Sequence, residues 1–174
     1  GMGPSSGGGT MAGMGRMRFG MMRQVHEMGS VESEYEYLVK MIPHHREAVE
    51  NAELLREQTD RRQMRTFASQ IIETQSREIE QMEAWLNAWY PDRSHEAEYE
   101  PMMGDYEGVT GEELDLLFLQ EMIPHHMAAV MMSQQLIVRD LAENRELVGF
   151  AVSIRDNQLA EIEQMSRWLD RWAE

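Results

Sequence analysis

The chain has 174 residues, enough for one domain with a hydrophobic core of ordinary size. Its 31 acidic and 16 basic side chains leave a net charge of −15, which argues against nucleic acid or an anionic membrane surface as partner and favours cations. Because cysteine is absent, disulfides and thiolate metal sites are excluded, and no apolar run is long enough to span a bilayer. We also find no signal-peptide pattern, so the sequence by itself predicts a soluble protein and leaves a cytoplasmic location open.

Residues 1–29 combine glycines with seven methionines and follow neither a helical nor a strand period, which predicts a flexible tail. A flexible segment gains little by exposing oxidisable thioethers to water, so capture of Cu(I) is one physical reason for their presence. A start-site artefact or a partner-docking segment explains the composition equally well. The tail residues that could capture copper are Met11, Met14, Met17, Met21, Met22, His26 and Met28.

The first two predicted helices follow the tail. Ser33 followed by Glu36 is a capping-box pattern, and the apolar positions after it predict a helix that runs to about Gln58. Asp60 is a second helix-start signal, and the helix after it carries apolar residues at alternating three and four spacing until Pro91. Two amphipathic helices in succession predict a helical hairpin.

A long connection follows at residues 91–110, where prolines, glycines and clustered acids interrupt the helical pattern. Thr110 with Glu113 forms a further capping-box pattern, which predicts the start of a third helix. Asn144 is the expected N-cap of a fourth helix, whose apolar stripe repeats that of the second. The sequence therefore predicts a second hairpin.

The second hairpin repeats the first in sequence. Met-Ile-Pro-His-His occurs at residues 41–45 and again at 122–126, and matching positions continue downstream of both copies. Two copies of such a long unit are too few for a solenoid, whereas duplication of one hairpin explains them. We predict an all-α, ferritin-like four-helix bundle over residues 30–174, with duplicated hairpins at 30–90 and 111–174 joined by a long crossover.

The paired histidines are the candidate metal ligands. Met41 lies three and four positions before His44 and His45, and residues at this spacing share a helix face. Thioether and imidazole together suit Cu(I), or its analogue Ag(I), better than Mg²⁺, Ca²⁺ or Mn²⁺. Adjacent histidines diverge by about 100° on a helix, so one of each pair is expected to bind and the other to pack or orient. The second copy repeats the arrangement with Met122, His125 and His126.

Other interpretations of these residues stay open. Methionine is a common core residue of helical bundles, so packing alone accounts for the methionines of the helices. A hydrogen-bonded core residue is the corresponding alternative for each histidine. Gln75 and Gln158 lie in the middle of the apolar stripes, and we expect them to hydrogen-bond the imidazoles rather than to bind metal themselves.

The combined motifs resemble one known family, the domain of unknown function 305, over about residues 31–173. The resemblance rests on Met-Ile-Pro-His-His, on Gln-x2-Glu-Ile-x2-Met, and on an acid three positions before an aromatic residue. The second copy has the family's Asp115-x2-Phe118, whereas the first has Glu34-x2-Tyr37. The resemblance implies the site residues Met41, His44, His45, Gln75, Met82, Asp115, Met122, His125, His126, Gln158 and Met165, with Glu34 at the first acidic position.

The family resemblance also implies a bundle that is exported or tied to the bacterial cell envelope, with copper or silver binding in some members. We therefore expect a non-enzymatic protein, periplasmic or secreted, that sequesters or relays Cu(I) or Ag(I) in copper homeostasis or resistance. A copper donor or acceptor protein would be its partner. A metal-free helical interaction module is the alternative. A ferritin-like di-iron oxidoreductase is less well supported, because the sequence has no Glu-x-x-His.

Overall fold

The computed structural model describes residues 22–173, and this part of the chain forms five helices. Residues 22–28 form α1, followed by α2 (Glu34–Gln58), α3 (Arg62–Trp89), α4 (Gly111–Val138) and α5 (Arg145–Trp172). Residues 22–173 contain no β-strand, and the predicted all-α fold is confirmed. None of the helices in this range is both long enough and apolar enough to cross a membrane.

The four long helices form two hairpins that meet through one helix of each. α2 packs against α3, α4 packs against α5, and α2 packs against α4. The Tyr37 hydroxyl near the start of α2 lies 2.8 Å from Ser133 Oγ near the end of α4, while His44 further along α2 contacts His125 earlier in α4. α2 and α4 are therefore antiparallel, so that the duplicated hairpins face each other.

The predicted helix start is confirmed at α2 and wrong by one residue at α3. Ser33 is the N-cap of α2, and its side-chain oxygen accepts a hydrogen bond from Glu36 N at 3.1 Å. At α3 the N-cap is Arg61 instead of Asp60, and the Arg61 N–H donates to Thr59 Oγ1 at 3.1 Å. The same Thr59 hydroxyl donates to Asp115 Oδ1 of the opposite hairpin at 2.7 Å, which holds it in place at the start of α3.

Thr110 and Asn144 occupy the predicted N-cap positions of α4 and α5, but neither side chain caps its own helix. The Asn144 amide donates to Glu34 Oε2 at 2.8 Å instead. Glu34 Oε1 also accepts the backbone N–H groups of Glu143 and Asn144 at 3.1 and 2.9 Å. A carboxylate of the first hairpin therefore caps the last helix of the second, where the helix dipole favours negative charge.

The prediction of a flexible tail over residues 1–29 is wrong for its last part, because α1 packs on the bundle. Val25 is 5% exposed, and Gln24 Nε2 donates to Pro101 O of the crossover at 3.3 Å. A Cβ on Gly29 would lie 2.7 Å from Met131 Cβ, so only glycine permits this close approach to α4.

The predicted copper-capturing residues of the tail fall partly within α1. Met22 is 69% exposed, His26 is exposed and Met28 is partly buried. None of the three is drawn into the interior of the bundle. The remaining tail candidates lie outside the described residues; they are Met11, Met14, Met17 and Met21.

Two apolar cores lie towards the two ends of the bundle, and all four long helices contribute to both. The first core joins the start of α2 and the end of α4, and it includes Tyr37, Met41, Met82, Met132 and Ile154. The second joins the end of α2 and the start of α4, and it includes Leu55, Phe67, Phe118, Met122 and Met165. Each long helix is polar where the two cores meet.

Candidate metal centre

The buried and half-buried polar residues between the two cores form one layer across the bundle. α2 and α4 contribute the histidine pairs, and α3 and α5 each contribute a glutamine and a glutamate three residues apart, a spacing that shares a helix face. The histidines are 0% exposed and the glutamines 2% exposed. We call this group the central polar layer; its members are His44, His45, Gln75, Glu78, His125, His126, Gln158 and Glu161.

His45 and His126 each direct Nε2 at a glutamate of the neighbouring helix in the same hairpin. His45 Nε2 lies 3.0 Å from Glu78 Oε1, and His126 Nε2 lies 3.3 Å from Glu161 Oε2. The two contacts are equivalent in the two repeats. Since a carboxylate only accepts hydrogen bonds, each contact places a proton on Nε2.

His44 and His125 lie between the hairpins, and their polar contacts break the symmetry of the duplication. Their rings stack with centroids 3.7 Å apart. His44 Nε2 donates to the His125 carbonyl oxygen at 2.7 Å, whereas His125 Nε2 lies 3.2 Å from Glu47 Oε1. The position equivalent to Glu47 in the second repeat is Ala128, so only the first repeat supplies this carboxylate.

The Nδ1 atoms of all four imidazoles are buried and have no hydrogen-bond partner within the described part of the chain. With the proton on Nε2, each Nδ1 carries the lone pair of the ring. A buried acceptor without a partner costs about 1–3 kcal/mol, so these four nitrogens call for a partner that residues 22–173 do not supply. Metal-binding histidines give one ring N–H to a carboxylate or carbonyl and use the other nitrogen for the ion. His44, His45 and His126 are arranged in that way, and His125 has its Nε2 3.2 Å from the carboxylate of Glu47.

The inner pair of imidazoles is held in the neutral form. Burial, reinforced by the neighbouring imidazoles, lowers the pKa of His44 and that of His125 well below the ordinary value of 6.5. Neutral imidazole is the form that binds metal, so near neutral pH no proton competes with an ion for these rings.

The glutamines of the layer do not hydrogen-bond the imidazoles, contrary to the sequence-based prediction. Gln75 Oε1 and both amide atoms of Gln158 are buried without a partner among residues 22–173. The Nε2–H groups of His44, His45 and His126 already donate to the His125 carbonyl, Glu78 and Glu161. His125 Nε2 lies 3.2 Å from Glu47 Oε1 and 3.5 Å from the Tyr99 hydroxyl. The layer therefore holds both unpaired amide oxygens and unpaired imidazole nitrogens.

The four methionines predicted as ligands lie in the apolar cores on either side of the layer. Met41 and Met82 belong to one core and Met122 and Met165 to the other, and all four are fully buried. Packing accounts for their burial. Each also lies within about one helical turn of a layer residue on its own helix: Met41 and Met122 precede the histidine pairs, and Met82 and Met165 follow Glu78 and Glu161.

The acidic residues implied by the family resemblance hold helix ends rather than histidines. Glu34 is 1% exposed, and it caps α5 as described above. Asp115 accepts the Thr59 hydroxyl at 2.7 Å and pairs with Arg61 at 3.2 Å beside the start of α3. Burial raises the pKa of Asp115, and the contacts with Thr59 and Arg61 oppose that rise. Both acids therefore join the hairpins instead of supporting the imidazoles.

No group of three or more histidine, aspartate or glutamate side chains within residues 22–173 is arranged to hold one metal ion. At most two such side chains could therefore share an ion as they stand. Ligands of another chemical type have to complete a site. Met41 and Met122 precede the histidine pairs on the same helices, and Gln75 and Gln158 lie three residues before the glutamates that contact the histidines.

Glu47 connects the histidines to the crossover between the hairpins. Its carboxylate accepts the Tyr99 hydroxyl and the backbone N–H groups of Met102 and Met103, the latter two at 3.1 and 3.3 Å. Burial, followed by the bond to Glu47, raises the pKa of Tyr99, so the phenol stays a protonated donor. One carboxylate thus orients the His125 ring and fastens the crossover.

A second glutamate fastens the crossover without touching a histidine. Glu121 accepts Gly104 N at 2.9 Å and the Tyr106 hydroxyl. Burial and the adjacent carboxylate raise the pKa of Tyr106 as well. Glu121 is therefore a natural comparison for Glu47.

The sequence-based reasoning missed the residues that hold the imidazoles. Glu78 and Glu161 occupy equivalent places in the duplicated block, and that repetition could have identified them. Glu47 has no counterpart in the second repeat, and Tyr99 lies in the crossover, so no repeated pattern marks either residue.

Fold and site together define a class of protein: a duplicated antiparallel four-helix bundle with neutral histidines buried in its interior. The chain belongs to the family described as domain of unknown function (DUF305), whose sequence model matches residues 34–169. Among solved structures, the chain is similar to CopM in the Cu(I)-bound form, with 30% sequence identity, a TM-score of 0.73, and 83% of this chain and 100% of that chain covered. It is also similar to CopM in the Cu(II)-bound form, with 29% identity, a TM-score of 0.72, and 82% and 99% covered.

A DUF305 protein from Streptomyces coelicolor is a more distant structural neighbour. It shares 23% identity and a TM-score of 0.70, with 79% of this chain and 90% of that chain covered, so it supports the fold alone. No curated protein matches the sequence. The family and the helical-bundle fold predicted from the sequence are thereby confirmed.

Proposed function

We propose that the protein binds copper, and silver as its analogue, in the central polar layer, and that it sequesters or relays the ion without transforming a substrate. The observation that carries this proposal is the set of four buried Nδ1 atoms without a partner among residues 22–173. In three of these rings Nε2–H is held by a hydrogen bond, and in His125 Nε2 lies 3.2 Å from the Glu47 carboxylate. Similarity to CopM, which has been solved in Cu(I)-, Cu(II)- and Ag-bound forms, supports it.

For Cu(I) and Ag(I) the proposed ligands are imidazole nitrogens together with thioethers. Met41 and Met122 precede the histidine pairs by three and four residues on the same helices, and soft sulfur suits the monovalent ions. Met82 and Met165 follow the glutamates of the layer by four residues and are the corresponding candidates on α3 and α5.

The proposed route to the layer is the side where α3 faces α5. Glu78 and Glu161 are 15% and 25% exposed at the side chain, whereas the histidines that they contact are fully buried. A groove of about 660 Å³, lined by residues that include Phe67, Trp168 and Glu161, opens beside this edge of the layer. An acidic rim attracts cations, as does the net charge of −15.

Relay to a partner protein, capture of copper by the Met-rich tail, and an extracytoplasmic location are the finer parts of the proposal. They come from the composition of residues 1–29 and from the family resemblance. A donor or acceptor protein would exchange the ion with the layer, and the thioethers of the tail would assist that exchange.

An anaerobic titration with Cu(I) against a coloured competing chelator tests the proposal. We expect H44N/H45N/H125N/H126N to lose tight binding and the milder pair H45N/H126N to be weakened about tenfold or more. The matched control is H95N, because His95 Nε2 contacts only the Tyr90 carbonyl, at 2.9 Å, and should bind copper like the wild type. Circular dichroism checks that each variant is folded.

Three results would decide against the layer as the site. If the folded histidine variants bind Cu(I) as tightly as the wild type, the proposal fails. If M11L/M14L/M17L/M21L abolishes binding while the histidine variants keep it, the tail is the site and the bundle is its scaffold. If neither the wild type nor any variant binds Cu(I) tightly, the result would favour the metal-free interaction module.

A further inference from the structure

Gln75 and Gln158 occupy equivalent positions of the two repeats, and both are buried with unsatisfied amides. Each is 2% exposed, and Gln75 Oε1 and both polar atoms of Gln158 lack a partner among the described residues. Burying an amide without a hydrogen bond costs about 1–3 kcal/mol in proteins. A helix that only had to fill a core would be more stable with leucine at both positions.

The amides lie beside the residues that touch the histidines. Gln75 precedes Glu78 by three residues on α3, and Glu78 Oε1 is 3.0 Å from Nε2 of His45. Residues at this spacing lie about 5–6 Å apart on one helix face. Gln158 stands in the same relation to the glutamate and histidine of the second repeat. Both amides therefore belong to the layer itself, whereas the methionines pack in the cores above and below it.

We infer that Gln75 and Gln158 supply amide oxygens to an ion held by imidazole nitrogens, and that this nitrogen and oxygen donor set makes the central polar layer a site for Cu(II). The inference rests on the proposed function and adds the oxidation state and the residues that select it. It concerns binding only and involves no electron transfer.

Ligand chemistry separates the two oxidation states of copper. Cu(II) favours nitrogen and oxygen donors in tetragonal arrangements, and a glutamine side chain can serve as a weak axial ligand to copper. Cu(I) favours thioethers and gains little from an amide oxygen. At most two of the histidine, aspartate and glutamate side chains described in residues 22–173 can share one ion, so oxygen donors of another type are needed to complete a Cu(II) site. The two unpaired amides provide them.

The test compares Q75L, Q158L and the double variant in the full-length protein. We expect each leucine to raise the melting temperature of the metal-free protein by about 2–4 °C, because an unpaired polar group leaves the interior. Cu(II) affinity, measured by calorimetric titration, should fall about 10–100-fold in the double variant. The electron paramagnetic resonance spectrum of bound Cu(II) should change, while Cu(I) affinity should change less than about threefold.

Gln135 provides the matched control, because its Oε1 accepts Val31 N at 3.1 Å and is therefore satisfied. Q135L should lower the melting temperature of the metal-free protein and leave Cu(II) affinity unchanged. The melting temperature should therefore rise in Q75L and Q158L and fall in Q135L. This difference separates an amide retained for binding from one retained for structure.

Several outcomes would overturn the inference. The inference fails if the double variant keeps the Cu(II) affinity of the wild type, whatever its melting temperature. A joint fall of affinity and melting temperature would overturn it too, since loss of structure produces both. If the wild type binds Cu(I) but not Cu(II), the inference fails and the proposed function stands. If the wild type binds neither ion, both fail.

Discussion

The imidazole of His44 stacks on that of His125, the equivalent residue of the other repeat, with ring centroids 3.7 Å apart and planes 14° from parallel. The antiparallel packing of α2 and α4 brings the two copies of one residue face to face. Because the same rings join the hairpins and line the central polar layer, the interface and the candidate site are one structure. Changes at the layer should therefore affect stability and copper binding together.

Acid should destabilise the metal-free protein. Burial lowers the pKa of His44 and of His125 in the folded state, so below about pH 6.5 the unfolded chain binds more protons than the folded one. The contribution of these two imidazoles to the free energy of unfolding should be fully present above that pH. It should then decrease by about 1.4 kcal/mol per pH unit for each imidazole, until the pKa of the folded state is reached. Urea unfolding between about pH 5 and pH 8 measures the slope.

The variant H44N/H125N is the control for this pH dependence. Without the two titrating rings, the free energy of unfolding should vary less with pH across the same range. A wild type whose stability is flat from neutral pH to about pH 5 would show that the two rings are not buried in the neutral form.

Removal of Glu47 should weaken copper binding and loosen the crossover together. Its carboxylate orients His125 and accepts three donors from the crossover, so E47A should lower copper affinity about 10–100-fold. Amide hydrogen exchange should rise over residues 99–103.

E121A is the matched control, since Glu121 fastens the crossover but touches no histidine. It should raise exchange near Gly104 and Tyr106 with copper affinity unchanged. Equal copper affinity in both variants would mean that Glu47 does not orient a ligand.

Loss of Glu34 should destabilise the bundle without affecting copper. E34A leaves the start of α5 and the Tyr90 hydroxyl without their buried acceptor, which should cost about 2–4 kcal/mol in the free energy of unfolding. Urea unfolding measures the change, and chelator competition checks the copper affinity. E32A removes an exposed acid of the same segment and should change little. Similar stabilities of the two variants would contradict the proposed cap.

Replacement by alanine should be destabilising at one glycine and stabilising at another. G29A would place Cβ 2.7 Å from Met131 Cβ and 2.8 Å from Val25 O, so α1 should detach and residues 22–28 should become sensitive to protease. Gly149 lies exposed in α5, and a Cβ at this position would have nothing within 4 Å. G149A should stabilise the protein by about 0.5–1 kcal/mol. Unchanged proteolysis of G29A would mean that α1 does not depend on this close packing.

Local sequence signals located the helices well. The predicted end of the first helix near Gln58 and the predicted stop of the second before Pro91 agree with α2 and α3. The Asp60 start was wrong by one residue, since Arg61 is the N-cap and its N–H donates to Thr59, whose hydroxyl is bonded to the opposite hairpin. The flexible-tail prediction failed at residues 22–29 because glycine composition says nothing about a close contact with α4.

The sequence by itself determined the helical fold, the duplication and the interior position of the histidine pairs, because hydrophobic period and repeated motifs are local properties of the chain. Only the tertiary structure decided which atom each polar group faces. Glu78 and His45 are 33 residues apart, and Glu34 and Asn144 are 110 apart. Such pairs form only when the hairpins pack, and that packing leaves Nδ1 and the glutamine amides unpaired in the interior.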